Sequence, residues 1–198
     1  MRFKLLVPVA VAAVAACVLT GCTSDNADQA VAQGEGFTFV SPGGQTVIRY
    51  DVADRKPLKP LSGESLMEEG KTISVDDFPD QIVVLNSWGQ WCAPCRSESD
   101  DLERVQEEMQ AKGYGTVLGI NVQDYNPEIS RDFVTDNGIT YPSIYDPPFK
   151  SAAALGGVPT SVVPTTIILD KQHRPAAVFL KETTDTELLD VITELAAE

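Results

Sequence analysis

The sequence predicts an α/β fold, a mixed sheet covered on both faces by helices and organised as one core. Three observations carry this. Ile82-Val83-Val84-Leu85 is a continuous apolar run rich in β-branched residues, the pattern of a strand buried on both faces. Downstream of it, strand-like and helix-like stretches alternate. The chain then closes with two apolar stretches joined by a tight turn, followed by an amphipathic helix. At 198 residues there is room for one ordinary domain with extras, or two small ones. No internal repeat is visible.

Taken in order, Phe37–Val40 and Thr46–Tyr50 flank Ser41-Pro42-Gly43-Gly44 and predict a hairpin. Asp54–Pro60 reads as a connector. Ser65–Leu66 and Thr72–Val75 around Glu69-Gly70-Lys71 predict a second hairpin. After the buried strand, Glu98–Lys112 carries Leu102, Val105 and Met109 at helical spacing and ends at Gly113. Thr116–Val122 is a second buried strand. Pro127–Asn137 is a helix with proline at its start and Gly138 beyond its end. Tyr141–Tyr145 is a strand and Lys150–Leu155 a short helix. Thr165–Leu169 and Ala176–Leu180 are strands around the turn Asp170–Arg174, and Thr186–Ala196 is the closing helix.

The composition is that of a globular protein, with 43% hydrophobic and 22% charged residues and a formal net charge of −14. That balance argues against nucleic acid as a partner, because phosphate binding needs clustered Lys and Arg and none is visible. Residues 1–21 read as an export signal. Arg2 and Lys4 precede an apolar stretch, Leu5–Leu19, which is short for a span of roughly 20 residues and holds Pro8. The stretch ends in Leu19-Thr20-Gly21-Cys22, which looks like the lipobox of bacterial lipoproteins. Cys22 would then begin the mature chain as the lipidated residue, placing the protein at the outer face of the cell membrane. There, disulfides are permitted. An ordinary secretory peptide cleaved after Ala15, or an uncleaved anchor, is the competing reading. Residues 22–36 are small and polar, a flexible tether, and 37–198 form the folded domain.

With Cys17 discarded and Cys22 blocked, Cys92 and Cys95 are the free thiols. Trp91-Cys92-Ala93-Pro94-Cys95 follows the buried strand directly and opens a helix. The unsatisfied N–H groups and partial positive charge of a helix start stabilise a thiolate. A two-residue spacer places both sulfurs on the first turn, close enough to bond. Pro94 suits that turn because its missing N–H would be unpaired there. Structural zinc would need four ligands, but there is no second Cys pair and one His, His173, which reads as a surface residue. Covalent haem attachment would need His where Arg96 stands. A purely structural disulfide across so short a loop would constrain the unfolded chain little. Thiol–disulfide chemistry needs no metal and no other cofactor.

At these residues the chain is similar to the thioredoxin superfamily, and within it to the TlpA/ResA-like group of membrane-tethered thiol–disulfide oxidoreductases. The likeness covers roughly residues 61–198. It rests on Ser74–Phe78, on Val84-Leu85-Asn86-Ser87-Trp88 leading into the Cys pair, on Arg96 and Glu98, and on Val163-Pro164-Thr165-Thr166-Ile167-Ile168-Leu169-Asp170. It implies a thioredoxin-like fold with an N-terminal β-hairpin extension and a central helix–strand insertion. It also implies a Cys92–Cys95 redox disulfide, a cis Pro164 facing it, and Val163 as a substrate-contacting residue. Pro159 sits in a similar Val-Pro-Thr triplet, but the strand follows Pro164 at the family spacing. Trp88 and Trp91 pack around the disulfide, with Trp91 at the substrate-binding rim. Asn86 stands where thioredoxins proper carry an acid. Glu98, one turn past Cys95, is the acid of the TlpA/ResA-like group, able to take the Cys95 proton or to raise its pKa. A solvated helix charge is the alternative. Asp100 stands where the group usually has proline, and the neighbouring acids read as a solvated face.

The function implied is reduction of disulfides in exported proteins such as apocytochrome c during cytochrome c maturation. A membrane-embedded thiol electron donor would recharge the pair. A disulfide-forming oxidase, a non-catalytic thioredoxin-like binding module and a peroxidase are the competitors.

Overall fold

The structure, a computed structural model, describes residues 36–198. The signal segment, Cys22 and nearly all of the tether lie outside the described residues. Eight strands and three α-helices follow one another as β1 (Val47–Arg49), β2 (Ser62–Glu64), β3 (Thr72–Ser74), β4 (Ile82–Trp88), α1 (Ala93–Lys112), β5 (Gly115–Asn121), α2 (Pro127–Asp136), β6 (Ser143–Tyr145), β7 (Thr165–Leu169), β8 (Pro175–Phe179) and α3 (Asp185–Ala196). The main sheet runs β1-β8-β7-β4-β5-β6. β4, β5 and β6 are parallel, whereas β7, β8 and β1 join antiparallel. The fold is thioredoxin-like, with α2 and β6 as the expected insertion, β6 lying at the sheet edge.

Both central parallel strands are buried along their whole length. Alternation sends Ile82 and Val84 to one face, against Leu102, Val105 and Met109 of α1 and Leu188, Val191 and Ile192 of α3. Val83 and Leu85 face the opposite core, which Phe37, Leu61, Phe149 and Leu155 cover. The short helix expected at Lys150–Leu155 is a 3-10 turn, Lys150–Ala153.

Three expectations are corrected. The stretches around Ser41–Gly44 do not pair with each other. Phe37 and Phe39 donate their N–H groups to Pro57 and Gly156, while β1 pairs with β8, Ile48 opposite Val178. The second hairpin exists but starts three residues earlier than expected, Ser62 pairing with Ser74. Ser65 instead bridges to Ile144 of β6. His173 is half-buried rather than on the surface. It closes the β7–β8 turn at φ 55°, its Nε2 2.9 Å from the Phe78 carbonyl.

Candidate active site

β4 delivers the site. Its last residue, Trp88, leads through Gly89-Gln90-Trp91 to Cys92, which is the N-cap of α1. Helix α1 starts at Ala93, five residues earlier than the apolar spacing alone indicated, with Pro94 in its first turn. Cys92 and Cys95 form a disulfide, their Cα atoms 5.3 Å apart. The Cys95 N–H points at Cys92 Sγ from 3.2 Å. That is the helix-start donor that stabilises a thiolate once the bond is reduced.

Two features oppose that stabilisation. Both cysteines are buried in an apolar cluster with Leu66, Trp88 and Val134, and loss of water disfavours a thiolate. Beneath them lies Glu98, which is 0% exposed. The solvated-charge alternative is therefore excluded. Burial pushes the Glu98 carboxyl up to about 7, against hydrogen bonds that pull it down. Those bonds come from the Thr183 N–H (2.8 Å) and Thr183 Oγ1 (3.2 Å) to Oε2, and from Asn86 Nδ2 (2.8 Å) to Oε1. Asn86 Nδ2 also reaches Thr166 Oγ1 at 3.0 Å. All these partners are neutral, so the pocket has no compensating cation on Glu98. The same seclusion shows at Tyr141, whose phenol is held far above its ordinary range by burial and, secondarily, by the charges of Glu98 and Glu103.

The remaining site residues converge. The Val163–Pro164 bond is cis, as the resemblance implied, and it is the one cis bond among the described residues. The Val163 carbonyl oxygen stands 3.6 Å from Cys92 Sγ. Trp91 forms the rim, 44% exposed, its indole Nε1 donating to the Val122 carbonyl at 3.1 Å. Trp88 is buried, donates to Ser143 Oγ at 3.2 Å and packs on Phe133 of α2.

Sequence reasoning missed three participants. Gly89 is needed because a Cβ there would collide with the Trp91 indole. Thr183 sits 85 positions from Glu98 and looks like ordinary helix-entry sequence. Asp124 reads as a loop residue before an Asn-Pro helix start, yet it is buried and bonded to Gln90. Gly89→Ala should expel the indole from its hydrogen bond at about 1 kcal/mol. A red-shifted Trp91 emission, together with slower reduction of peptide disulfides, is the expected observation.

Comparison with known proteins identifies the family. Residues 56–174 match the AhpC/TSA family. The thiol-disulfide oxidoreductase ResA of Bacillus thuringiensis (strain Al Hakam) is 26% identical over 120 residues, 61% of this chain and 66% of that protein. The match thus spans just under two thirds of that relative. A secreted thiol-disulfide isomerase from Corynebacterium glutamicum is 63% identical with a TM-score of 0.81, covering 83% of this chain and 100% of that one. A DsbF homologue from Corynebacterium diphtheriae is 62% identical with a TM-score of 0.77, covering 81% and 99%.

Proposed function

The chain belongs to the AhpC/TSA family, as a thioredoxin-like thiol–disulfide oxidoreductase, and from that premise we propose that it is a membrane-tethered reductant of disulfides in exported proteins. The observation that carries the direction is Glu98. A carboxylate one helical turn below Cys95, unpaired with any cation, disfavours the thiolate of the reduced state. A reduced state that is poorly stabilised gives up its electrons readily, whereas strong oxidants are those whose reduced form is stabilised.

The cycle uses Cys92 as nucleophile. Its thiolate attacks one sulfur of a substrate disulfide, that S–S bond breaks, and the departing substrate sulfur takes a proton. Cys95 then loses its proton to Glu98 and attacks Cys92 Sγ. The mixed disulfide breaks, the second substrate thiol leaves, and Cys92–Cys95 holds the oxidised pair. Two electrons have moved to substrate, and a membrane-embedded thiol electron donor restores them. Val163 and Pro164 hold the substrate strand, with Trp91 at its side. Apocytochrome c is the substrate this reading names.

Lipidation at Cys22, with residues 1–21 removed and 22–36 as tether, keeps domain 37–198 at the membrane. No described helix is long and apolar enough to cross a membrane. Fractionation and thiol trapping test both halves. The wild-type chain should sit in the membrane fraction with Cys92 and Cys95 reduced, and Cys22→Ala should release it. Release of the wild type would refute the anchor, and a fully oxidised resident pair would refute the reducing role.

Disulfide isomerisation is a second reading, favoured by the name of the 63% identical C. glutamicum protein. It uses the same Cys92 attack but lets a substrate thiol, not Cys95, displace the enzyme. Recovery of activity from a scrambled disulfide protein by the Cys95→Ser variant would favour it.

A further inference from the structure

Asp124 stands outside the thiol chemistry described above, yet it is buried, 6% exposed, and directed at the catalytic turn. Its Oδ2 accepts three hydrogen bonds of 2.9 Å, from the Gln90 N–H, Asn121 Nδ2 and Ser130 Oγ. Each donor belongs to a different part of the fold: the β4–α1 turn, the end of β5, and α2. The Gln90 carbonyl is held from the other side by Arg96 Nη1 at 2.7 Å. The peptide groups on either side of Gln90 are therefore gripped by an anion and a cation. Cys92 is two residues on, its N–H bonded to the Gly89 carbonyl at 3.0 Å.

We infer that Asp124 is a positioning residue for Cys92, which fixes the turn that aims the thiolate and sets its basicity through the charge it holds there. The inference rests on the oxidoreductase reading of the Cys pair. Two residues of chain span at most about 7 Å, which, with the hydrogen bond to Gln90 and the Cys92 side chain added, bounds the carboxylate to within about 14 Å of the sulfur. All three donors on Oδ2 are neutral. The Tyr145 phenol of β6 is raised by burial first and then by the Asp124 charge, while Arg131 of α2 acts on the same phenol in the opposite sense. Arg131 Nε is engaged by the Leu66 carbonyl at 2.6 Å. Glu64 of β2 adds negative charge on the Tyr145 side, and Arg96 adds positive charge on the α1 side. At the effective dielectric of a protein, a single buried charge at such range shifts a thiol equilibrium by about tenfold.

The test pairs Asp124→Asn with Asp124→Ala in the folded domain. Asparagine keeps an acceptor for the Gln90 N–H but removes the charge. The thiolate fraction of Cys92, read by ultraviolet absorbance against pH, should rise about tenfold at pH 7. The equilibrium with glutathione should move about as far toward the reduced pair. Alanine also removes the acceptor, and attack of Cys92 on a peptide disulfide should then slow about tenfold relative to asparagine. Unchanged thiolate fractions and glutathione equilibria in both variants, with only a lower melting temperature, would reduce Asp124 to a structural residue. Hydrogen exchange on the wild-type protein is independent of variant folding. The Gln90 amide should exchange slowly, and free exchange would overturn the clamp. A wild type that reduces no peptide disulfide would refute the oxidoreductase reading instead, while the Cys92 titration would still report on Asp124.

Discussion

Cys95→Ser should arrest the protein as a covalent adduct with its substrate, and Cys92→Ser should form no adduct at all. The asymmetry follows from position. Both sulfurs are buried in the oxidised pair, but Cys92 caps α1 beside the carbonyl of the cis Val163–Pro164 bond, whereas Cys95 lies within the first helical turn, one turn before Glu98. An attacking thiol must reach a substrate sulfur, and both rate and direction follow access as well as thiolate character. With Cys95 gone, nothing intramolecular resolves the mixed disulfide, and turnover should fall by 10³-fold or more, as when a nucleophile is removed. With Cys92 gone, turnover should fall as far without accumulation of an intermediate. Non-reducing electrophoresis and mass measurement of the adduct check this. Equal trapping by both variants would mean that standing at the helix start beside Val163 does not distinguish Cys92 from Cys95 as the attacking sulfur.

Glu98→Gln should abolish a pH dependence of stability that the wild-type protein carries. The folded carboxyl titrates near 7, against an ordinary value of 4.5, because burial penalises its charge more than Thr183 and Asn86 compensate. Between those values the native state holds a proton that the unfolded chain has released. Its stabilising contribution is therefore complete below about pH 4.5 and is lost as pH rises through 7. A shift of this size corresponds to about 3 kcal/mol, a large fraction of the stability of an ordinary domain. Urea unfolding at pH 5 and pH 8 should show wild type losing about that much more than Glu98→Gln. Identical pH slopes would mean that Glu98 is not the titrating group. The same variant should prolong the mixed disulfide above pH 7, because Cys95 loses its proton acceptor, slowing resolution by at least about 10²-fold.

The legible parts of this molecule are those in which a local pattern reports burial directly. Ile82–Leu85 reads as a doubly buried strand because nothing polar interrupts it, and the Cys pair is recognisable because its chemistry depends on being at a helix start. Pro164 was reached through the resemblance of its whole strand. What stayed hidden is non-local. The pairing of Val47–Arg49 with β8 is made across more than 120 residues, so a nearby Pro-Gly-Gly turn offered a simpler but wrong partner. Glu98 lies in Ser97-Glu98-Ser99-Asp100-Asp101, which looks uniformly solvated. Only the docking of α3 brings Thr183 against it and removes its water. Asp124 is similarly ordinary in sequence, and its role arises from three donors that converge only in the folded chain.

The reduction potential of Cys92–Cys95 tests the direction of electron flow most directly. It is read by equilibrating the folded domain against dithiothreitol and glutathione buffers. With both sulfurs buried and Glu98 beneath them, a value at or below about −230 mV is expected, toward the range of thioredoxin. A value near about −120 mV, that of a strong oxidant, would contradict it and make the protein a disulfide-forming enzyme built from the same residues.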